Sequence, residues 1–419
     1  MAKTKAAEQQ RLKRARDARN AARLAPRART GTGSQRVVAR ADRFVARDKA
    51  LRDLPESVRV MNEMITDAVN RTKQNRARCI ETPMLSSPVL DALCGCRVFV
   101  KAECLQRSGS FKYRGALNAL FKIKEQGLAD RGVVAFSSGN HAAAVARAAS
   151  DLGIDAKVVM PDDAPRVKVQ AASDAGATIV TYCRSKGESR ESVGGRIARE
   201  EGRTLVKPFD DCHVIAGQGT CGVEISCQLL DSVFRGNDGG RAVVLIPTSG
   251  GGLAAGISVA LKASWAFCPP TKYSCDVWCV EPHGLDDHAR SLAADGRAER
   301  LSNPEGAEGA RVSLCDALMA PQPGKITWDI NRHTLAGGVT VSDDEVLGAM
   351  RVALTHLKLV LEPGGASALA AILNAETRAR VFGESPPDAV VVVASGGNVD
   401  PDVLALAALS RPLAPAPNR

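Results

Sequence analysis

The feature that most restricts the fold of this sequence is a series of short apolar runs separated by longer alanine-rich stretches. Stretches such as 111–124, 141–152 and 343–361 have helical periodicity. The apolar runs are rich in Val and Ile and do not alternate with polar residues, which is typical of strands buried on both faces. The alternation therefore predicts an α/β protein with doubly wound parallel sheets. The runs lie at 97–100, 133–136, 157–160, 178–180, 242–246, 277–280 and 389–393.

The length of the chain predicts more than one structural unit, because 419 residues exceed the size at which a single core usually stops growing. We predict a large domain formed by residues 55–131 and 211–412. A smaller α/β domain at 132–210 interrupts it. Residues 1–54 are predicted to be a basic, partly disordered tail, and residues 413–419 a disordered end.

The net charge of +10 is concentrated at the N-terminus, where residues 1–52 hold 16 Lys and Arg against four Asp and Glu. The remainder is close to neutral, so the basic pI belongs to the tail and does not predict a nucleic-acid-binding face. Aromatic residues make up 4% of the chain, which also argues against base stacking. No apolar run approaches the roughly 20 residues that a membrane-spanning helix needs.

The 12 cysteines form no CxxC pair, and their spacing predicts neither a zinc site nor a disulfide framework. This usage favours a reducing compartment. We therefore expect a cytoplasmic protein, with import into a mitochondrion or plastid through the Arg-rich N-terminus as the alternative.

Three predicted strands end in unusual residues, at 137–141, 247–253 and 395–398. Ligands of parallel sheets bind beyond the carboxyl ends of the strands, so these segments are candidate parts of one site. Residues 250–252 are three consecutive glycines that open a predicted helix at 253–262. Free backbone N–H groups and the helix dipole make this turn a candidate phosphate site. The alternative is a tight strand-to-helix connection without a ligand.

Two further segments, at 217–222 and around Lys112, contain residues that are typical of ligand sites. Residues 217–222 match GxGxxG, but the segment before them is weakly strand-like and the next strand lacks the acidic residue of a dinucleotide site. We interpret this segment as a helix-opening turn.

Lys112 lies in the first turn of a predicted helix, where the helix dipole favours the neutral form of its amine. A solvated surface lysine is the alternative.

These motifs together resemble the serine/threonine dehydratase and serine racemase family, which are pyridoxal-phosphate enzymes of fold type II. The resemblance extends over about residues 78–405. It rests on segments that follow one another in the family's order: Ser-Phe-Lys-Tyr-Arg-Gly-Ala at 110–116, Ser-Ser-Gly-Asn-His at 137–141, Pro-Phe-Asp-Asp at 208–211, Val-Ile-Ala-Gly-Gln-Gly-Thr at 214–220, the glycine-rich loop, Glu-Pro-Gly-Gly-Ala at 362–366 and Ser-Gly-Gly-Asn at 395–398. The fold implied is a large doubly wound sheet domain with a smaller inserted α/β domain, as in the β subunit of tryptophan synthase.

The resemblance assigns the cofactor's contacts to individual residues. It implies that Lys112 bonds the cofactor covalently, that Phe111 lies against its ring and that Asn140 bonds its phenolic oxygen. Ser395 would face the pyridine nitrogen. The phosphate would be held by the backbone amides of Ser249, Gly250, Gly251, Gly252 and Leu253.

The resemblance also implies how a small amino acid substrate is bound. Its carboxylate would be held by Ser137, Ser138, Asn140 and His141. Ser138 would also act as an acid or base on the ring face opposite Lys112. Arg190 is a further candidate, because residues 188–191 resemble a segment that reaches the substrate. Alanines stand at 143 and 144, where the family commonly has Gln and Gly.

A divalent-cation site is implied at 281–287, where Glu281, the carbonyl of Leu285 and Asp287 would supply oxygens suited to Mg²⁺ or Ca²⁺. The alternative is that Asp286 and Asp287 cap a short helix at 288–293.

The function implied is elimination of water from a β-hydroxy amino acid, threonine or serine, giving a 2-oxo acid and ammonia. Alternatives are an amino-acid racemase, a dehydratase of 3-hydroxyaspartate or another β-hydroxy amino acid, and a non-catalytic fold tethered by its tail to RNA or an acidic surface. The presence of Lys112, Asn140 and Ser395 together argues against the last. We expect a homo-oligomer, most simply a dimer.

Overall fold

A computed structural model describes residues 54–75, 78–137, 139–164, 166–183, 186–235, 237, 239–266, 273–294 and 313–410 of the chain. The predicted tail, apart from its last residue, and the predicted end at 413–419 lie outside the described residues, as does Ser138.

The first sheet has six strands in the order β1-β2-β10-β7-β8-β9. Strand β1 pairs antiparallel with β2, and the other neighbours are parallel. The strands are β1 (Met84–Ser86), β2 (Val98–Lys101), β7 (Gly240–Pro247), β8 (Tyr273–Pro282), β9 (Gly337–Val341) and β10 (Ala389–Val393).

The second sheet has four parallel strands in the order β5-β4-β3-β6. Its strands come from one continuous part of the chain: β3 (Val133–Phe136), β4 (Ala156–Pro161), β5 (Thr178–Tyr182) and β6 (Thr204–Val206).

Helices connect the strands and cover both sheets. Those before β7 are α1 (Glu56–Gln74), α2 (Pro88–Cys94), α3 (Lys112–Glu125), α4 (Asn140–Leu152), α5 (Arg166–Asp174), α6 (Arg190–Glu201) and α7 (Cys212–Ser232). The later ones are α8 (Gly252–Ala266), α9 (Asp287–Ala293), α10 (Lys325–Thr334), α11 (Asp343–Val352), α12 (Pro363–Leu373), α13 (Ala375–Phe382) and α14 (Pro401–Leu409). None of the described helices combines the length and apolarity needed to cross a membrane.

The central strands are buried along their whole length, as their composition predicts. Every residue of β2, β3 and β10 is buried. Apolar faces of helices pack on both sides of the first sheet and form two separate clusters of buried side chains. The prediction of an α/β fold with parallel sheets, the smaller one formed by an inserted segment, is confirmed, although the first sheet also has the antiparallel edge strand β1.

All seven predicted strands are present, and the missed strands are short or rich in glycine. Strands β1 and β6 have three residues each, and β9 reads Gly-Gly-Val-Thr-Val. None of them contains an apolar run long enough to be recognised from the sequence.

Two local predictions were wrong. The helix predicted at 343–361 ends earlier: α11 stops at Val352, a π-helical turn follows at Ala353–Leu357, and Lys358 has a left-handed backbone with φ of 58°. Leu359 and Leu361 are buried beyond this turn. Their apolar side chains continued the helical pattern in the sequence and made the predicted helix too long.

The GxGxxG segment is the second error, because it lies inside α7 and does not open it. Asp211 caps this helix through bonds from the N–H groups of His213 and Val214. A Cβ at Gly217 would lie 2.5 Å from the carbonyl oxygen of Arg114, so this glycine serves close packing between α7 and α3.

Candidate active site

Lys112 is the first residue of α3 and is directed toward the segment before α7. Its Nζ donates a hydrogen bond to the carbonyl oxygen of Pro208 at 2.8 Å. Burial lowers the pKa of Lys112 to about 8, and the negative charge of Glu362 acts in the opposite direction. The sequence predicted a lowered pKa from the helix dipole, whereas burial is the main cause here.

Two residues after Lys112, Arg114 anchors the same helix turn in an ionic cluster that is buried except for part of Glu224. Its guanidinium donates to Glu103 at 2.7 and 2.8 Å and to Glu224 at 2.6 and 2.8 Å. Lys101 completes the cluster with a 2.6 Å contact to Glu224. The start of α3 is thus fastened to the end of β2 and to α7. The motif at 110–116 contains Arg114, but the sequence pattern predicted no role for this residue.

Phe111 and Ser395 connect this helix start with the end of β10. The N–H of Phe111 donates to the carbonyl oxygen of Ser395 at 3.0 Å, and the Phe111 ring packs against the core of the first sheet. Ser395 is only 4% exposed. The structure therefore brings Ser395 next to the residue that precedes Lys112.

The glycine-rich loop joins β7 to α8, as the sequence predicted. Within the described part of the chain, the backbone N–H groups of residues 249–253 donate no hydrogen bond. The hydroxyl of Ser249 accepts from the N–H of Ala320 at 3.0 Å. Gly251 has a φ of 89°, and a Cβ there would lie 2.5 Å from His288 Nε2. These amides are available donors at a helix N-terminus, which is the arrangement that binds an anion.

Phe209 links the glycine-rich loop to Lys112. A Cβ at Gly250 would overlap the Phe209 ring, so ring and loop are in direct contact. Phe209 follows Pro208, whose carbonyl holds Lys112. The amine and the glycine-rich loop therefore contact two consecutive residues.

Asn140 starts α4, and both ends of its side-chain amide are bonded. Nδ2 donates to Glu362 Oε1 at 2.5 Å, and Oδ1 accepts from Asn398 Nδ2 at 2.7 Å. Sequence reasoning named Glu362 and Asn398 only as parts of motifs, and their separation of more than 200 residues from Asn140 gave no signal of the contact.

His141 is 2% exposed, and its Nε2 lies 3.0 Å from the carbonyl oxygen of Val206. Burial lowers its pKa to about 3, and the charge of Lys112 lowers it further. The ring is therefore neutral, and Nε2 must carry the proton that it shares with the carbonyl. Nδ1 is left as a buried acceptor for which the described residues supply no donor. Such a ring cannot donate to a carboxylate, so any contact to one would come from the backbone N–H of this residue.

Two other predicted substrate residues lie in this region. Ser137 accepts from the N–H of Gly139 at 3.1 Å through its hydroxyl. Arg190 is the first residue of α6, its guanidinium carbon is 5.9 Å from the centre of the Phe136 ring, and its charge also lowers the pKa of His141.

A cluster of three ionisable residues lies directly behind the glycine-rich loop. Glu281, Asp287 and His288 are buried and have ligand atoms within 4.8 Å of one another. Burial opposes protonation of His288, but Asp287 and Glu281 raise its pKa to about 9. Sequence reasoning placed Glu281 and Asp287 together but missed His288, although it is adjacent to Asp287 in the sequence.

The alternative helix cap is wrong, because Glu281 caps α9. Its carboxylate accepts from the N–H groups of His288 and Ala289 at 3.0 and 2.8 Å, while Asp286 makes no side-chain cap bond. Both carboxylate oxygens of Asp287 are buried and have no hydrogen-bond partner among the described residues. An oxygen-preferring cation would satisfy them, so the residues fit such an ion. Leu285, the third predicted ligand, is 1% exposed and lies in the same loop.

The arrangement fits pyridoxal phosphate as a cofactor. A buried amine of lowered pKa can form a covalent bond with its aldehyde. The unpaired amides at the start of α8 suit its phosphate.

Comparison with known proteins agrees with this assignment. The family described as "pyridoxal-phosphate dependent enzyme" matches residues 77–396. The serine racemase of Oryza sativa subsp. indica is 38% identical over 325 residues, which are 77% of this chain and 87% of that protein. The L-threo-3-hydroxyaspartate ammonia-lyase of Pseudomonas sp is 36% identical over 338 residues, 80% of this chain and 95% of that protein. The structure of threonine deaminase isoform 2 from Solanum lycopersicum superposes with a TM-score of 0.69 at 29% identity, covering 83% of this chain and 87% of that one.

Proposed function

The chain belongs to the family of pyridoxal-phosphate dependent enzymes with the type II fold, and from this premise we propose that it removes water from threonine or serine to give a 2-oxo acid and ammonia. The observation that carries the proposal is that the Lys112 amine bonds to Pro208 while the loop with the unpaired amides of residues 249–253 contacts the next residue, Phe209. This placement suits a cofactor that is bonded at its aldehyde end and held at its phosphate end.

Bound pyridoxal phosphate would withdraw electrons from the amino acid and acidify its Cα proton. Lys112 would take that proton at Nζ, since a pKa of about 8 leaves a substantial fraction of the amine neutral near physiological pH. The β-hydroxyl of the substrate would leave as water with a proton from an acid in the site. A water molecule would then hydrolyse the released unsaturated amino acid, after its tautomerisation to the imine, to the 2-oxo acid and ammonia.

Ser395 supports elimination over transamination. A serine hydroxyl is neutral and need not protonate the pyridine nitrogen, so the cofactor would be a weaker electron sink than one paired with a carboxylate. This discourages long-lived carbanions, from which transamination proceeds.

The substrate carboxylate would be bound by N–H and hydroxyl groups at the start of α4. Ser137 and the backbone amides of Asn140 and His141 are the described donors of this set, and Ser138 stays part of the proposal. The neutral His141 ring would add no charge. The binding energy would thus come from hydrogen bonds at a helix N-terminus.

A divalent cation would be held by Glu281, the carbonyl of Leu285 and Asp287, beside His288. Its contribution would be structural: the His288 ring and Asn331 lie against Gly251, so the ion would support the loop that binds the phosphate.

A second candidate substrate is 3-hydroxyaspartate, which Arg190 favours. Its side chain is 45% exposed, yet its charge affects His141 inside the site. A guanidinium in this position could pair with the second carboxylate of such a substrate.

The test is turnover of a substrate panel by the holoenzyme. Purified protein loaded with pyridoxal phosphate is given L-threonine, L-serine and L-threo-3-hydroxyaspartate, and the 2-oxo acid, ammonia and both enantiomers of the amino acid are measured. We expect equal amounts of oxo acid and ammonia from threonine or serine. Formation of the opposite enantiomer alone would identify a racemase and contradict the proposal.

Two variants assign the roles. Lys112→Ala should abolish turnover, whereas Lys122→Ala on the same helix should retain it. A borohydride-reduced cofactor adduct on another lysine would contradict the assignment.

If 3-hydroxyaspartate is the substrate, Arg190→Gln should reduce kcat/KM for 3-hydroxyaspartate by about tenfold or more and leave kcat/KM for threonine unchanged. Arg196→Gln, an exposed residue of the same helix, is the control.

A further inference from the structure

The side chain of Asn140 is held from two directions by residues distant in the sequence. Glu362 precedes α12 and accepts from Asn140 Nδ2 at 2.5 Å. Asn398 follows β10 and donates from Nδ2 to Asn140 Oδ1 at 2.7 Å. Asn140 itself follows β3 of the second sheet, so these bonds join the second sheet to elements of the first.

The two bonds impose one orientation on the Asn140 amide. If its oxygen and nitrogen exchanged places, the oxygen would face the carboxylate of Glu362, and two NH₂ groups would face each other at Asn398. Asn398 cannot readily turn in response, because its Nδ2 also donates to the carbonyl oxygen of Ser108 at 2.9 Å. One N–H of the Asn140 amide is therefore used by Glu362, and the second remains for another acceptor.

The carboxylate that imposes this orientation is itself fixed next to the candidate site. Glu362 is 4% exposed, and its N–H donates to the carbonyl oxygen of Gly396 at 3.1 Å. Gly396 follows Ser395, whose carbonyl accepts from the N–H of Phe111. The same stretch of backbone thus fixes Glu362, Ser395 and the start of the Lys112 helix.

We propose that Glu362 and Asn398 are positioning residues that keep the second N–H of Asn140 directed at the phenolic oxygen of the cofactor, an inference that rests on the proposed contact between Asn140 and that oxygen. Neither residue needs to touch the substrate. An anionic phenolic oxygen would be matched with a donor whose direction is already set before the cofactor arrives, which reduces the cost of ordering it on binding.

A chemically matched control pair lies elsewhere in the molecule. Asn374 Nδ2 donates to Glu345 Oε1 at 2.5 Å, the same atoms at the same distance. Glu345 also forms the capping box of α11 with Ser342. Glu345→Gln therefore removes the same charge from the same kind of pair outside the candidate site.

The experiment compares two ligands of the apoprotein: pyridoxal phosphate and 3-deoxypyridoxal phosphate, which lacks the phenolic oxygen. Dissociation constants are measured for wild type, Glu362→Gln, Glu362→Asp, Asn398→Ala and Glu345→Gln. Thermal unfolding of each apoprotein shows that it is folded. Glu362→Asp keeps the charge but shortens the side chain, so it tests position if Glu362→Gln does not fold.

We expect wild type to bind pyridoxal phosphate at least about tenfold more tightly than the deoxy analogue, the range for a hydrogen bond to a charged group. In the two Glu362 variants and in Asn398→Ala this preference should fall several-fold, with binding of the analogue nearly unchanged. Glu345→Gln should keep the wild-type preference.

An equal loss for both ligands in the Glu362 variants would show a merely structural role and overturn the inference. The inference would also be overturned if the Glu362 and Asn398 variants kept the wild-type preference for pyridoxal phosphate. The same holds if wild type bound pyridoxal phosphate and its deoxy analogue equally tightly. If wild type shows the preference and the variants lose it, but no β-hydroxy amino acid is turned over, the inference stands and the proposed function fails.

Discussion

Two clusters of buried charges in this protein differ in how fully their hydrogen bonds are satisfied. The first contains Lys101, Glu103, Arg114 and Glu224, and its charges balance in two opposite pairs. Lys101 Nζ donates to the carbonyl of Thr82 at 2.8 Å as well as to Glu224 and Gln228 at 2.6 and 3.1 Å. All three of its donors are thereby used, and Arg114 holds both carboxylates.

The second cluster contains Glu281, Asp287 and His288, and it is incomplete. Glu281 accepts two backbone N–H groups, but in the part of the chain that the structure describes neither oxygen of Asp287 has a hydrogen-bond partner. His288 Nδ1 lies 3.3 Å from Asp287 and 3.5 Å from Glu281 without an aligned bond.

The difference indicates different roles. Buried charges that satisfy one another fix a structure, and in this case they fix the helix that begins with Lys112. A buried carboxylate without partners costs free energy, and it is retained where a ligand completes it. Removing a partner should therefore damage the first cluster, whereas adding an ion should stabilise the second.

The largest effect is expected from Arg114→Leu, which leaves Glu103 and Glu224 buried without their main partner. The free energy of unfolding should fall by about 3 to 5 kcal/mol, the usual cost of breaking a buried ion pair from one side. Urea unfolding measures this loss. Arg147→Leu removes an exposed partner of Asp151 and should change stability by less than about 1 kcal/mol. Similar losses in the two variants would mean that the first cluster does not fix the fold.

The second largest effect concerns Mg²⁺ and the second cluster. If the cluster binds the ion in the folded state only, Mg²⁺ at 100 times its dissociation constant should stabilise the protein by about 2.7 kcal/mol. EDTA should reverse this, and Asp287→Asn should abolish the response. Calorimetric Tm values with and without Mg²⁺ provide the measurement. A wild type that responds neither to Mg²⁺ nor to EDTA would mean that Asp287 binds no ion and only neighbours the charge of His288.

A smaller effect distinguishes Lys112 from both clusters, since among the described residues its amine has no ion pair and donates its hydrogen bond to a carbonyl. Burial lowers its pKa from 10.5 to about 8, so the unfolded chain binds more protons between these values. The contribution of Lys112 to stability should therefore rise from pH 8 to pH 10.5. It appears as a pH-dependent difference in apoprotein Tm between wild type and Lys112→Met. A constant difference would show that the pKa of Lys112 is not lowered.

The smallest effect is expected from removal of residues 1–52, which contain neither cluster. A chain starting at Asp53 should keep the Tm and activity of the full protein. The control is a chain that starts after Gln74, because it lacks α1, whose buried residues Val58, Met61 and Ile65 pack against α7 and α8. That chain should fail to fold. If the chain that starts at Asp53 also failed to fold, the prediction that residues 1–52 are dispensable would be wrong.

The sequence alone determined the class of fold and the positions where ligands could bind. Uninterrupted apolar runs such as 389–393 specify buried parallel strands, because a residue pattern of this kind leaves no polar face for solvent. The position of Lys112 at a helix start and of three glycines after β7 followed from local order. The resemblance to a known family added the expected roles.

Only the tertiary structure decided which side chains complete one another. Asn140 and Glu362 are separated by 222 residues, and Arg114 and Glu224 by 110. The sequence offered Asp286 and Asp287 as caps of α9 only as the alternative to a cation site, but Glu281 caps this helix because the loop brings its carboxylate to the N–H groups of His288 and Ala289. The GxGxxG segment lies within a helix because its glycines admit the neighbouring helix. Local sequence patterns report propensity and burial, whereas these contacts depend on how distant elements pack.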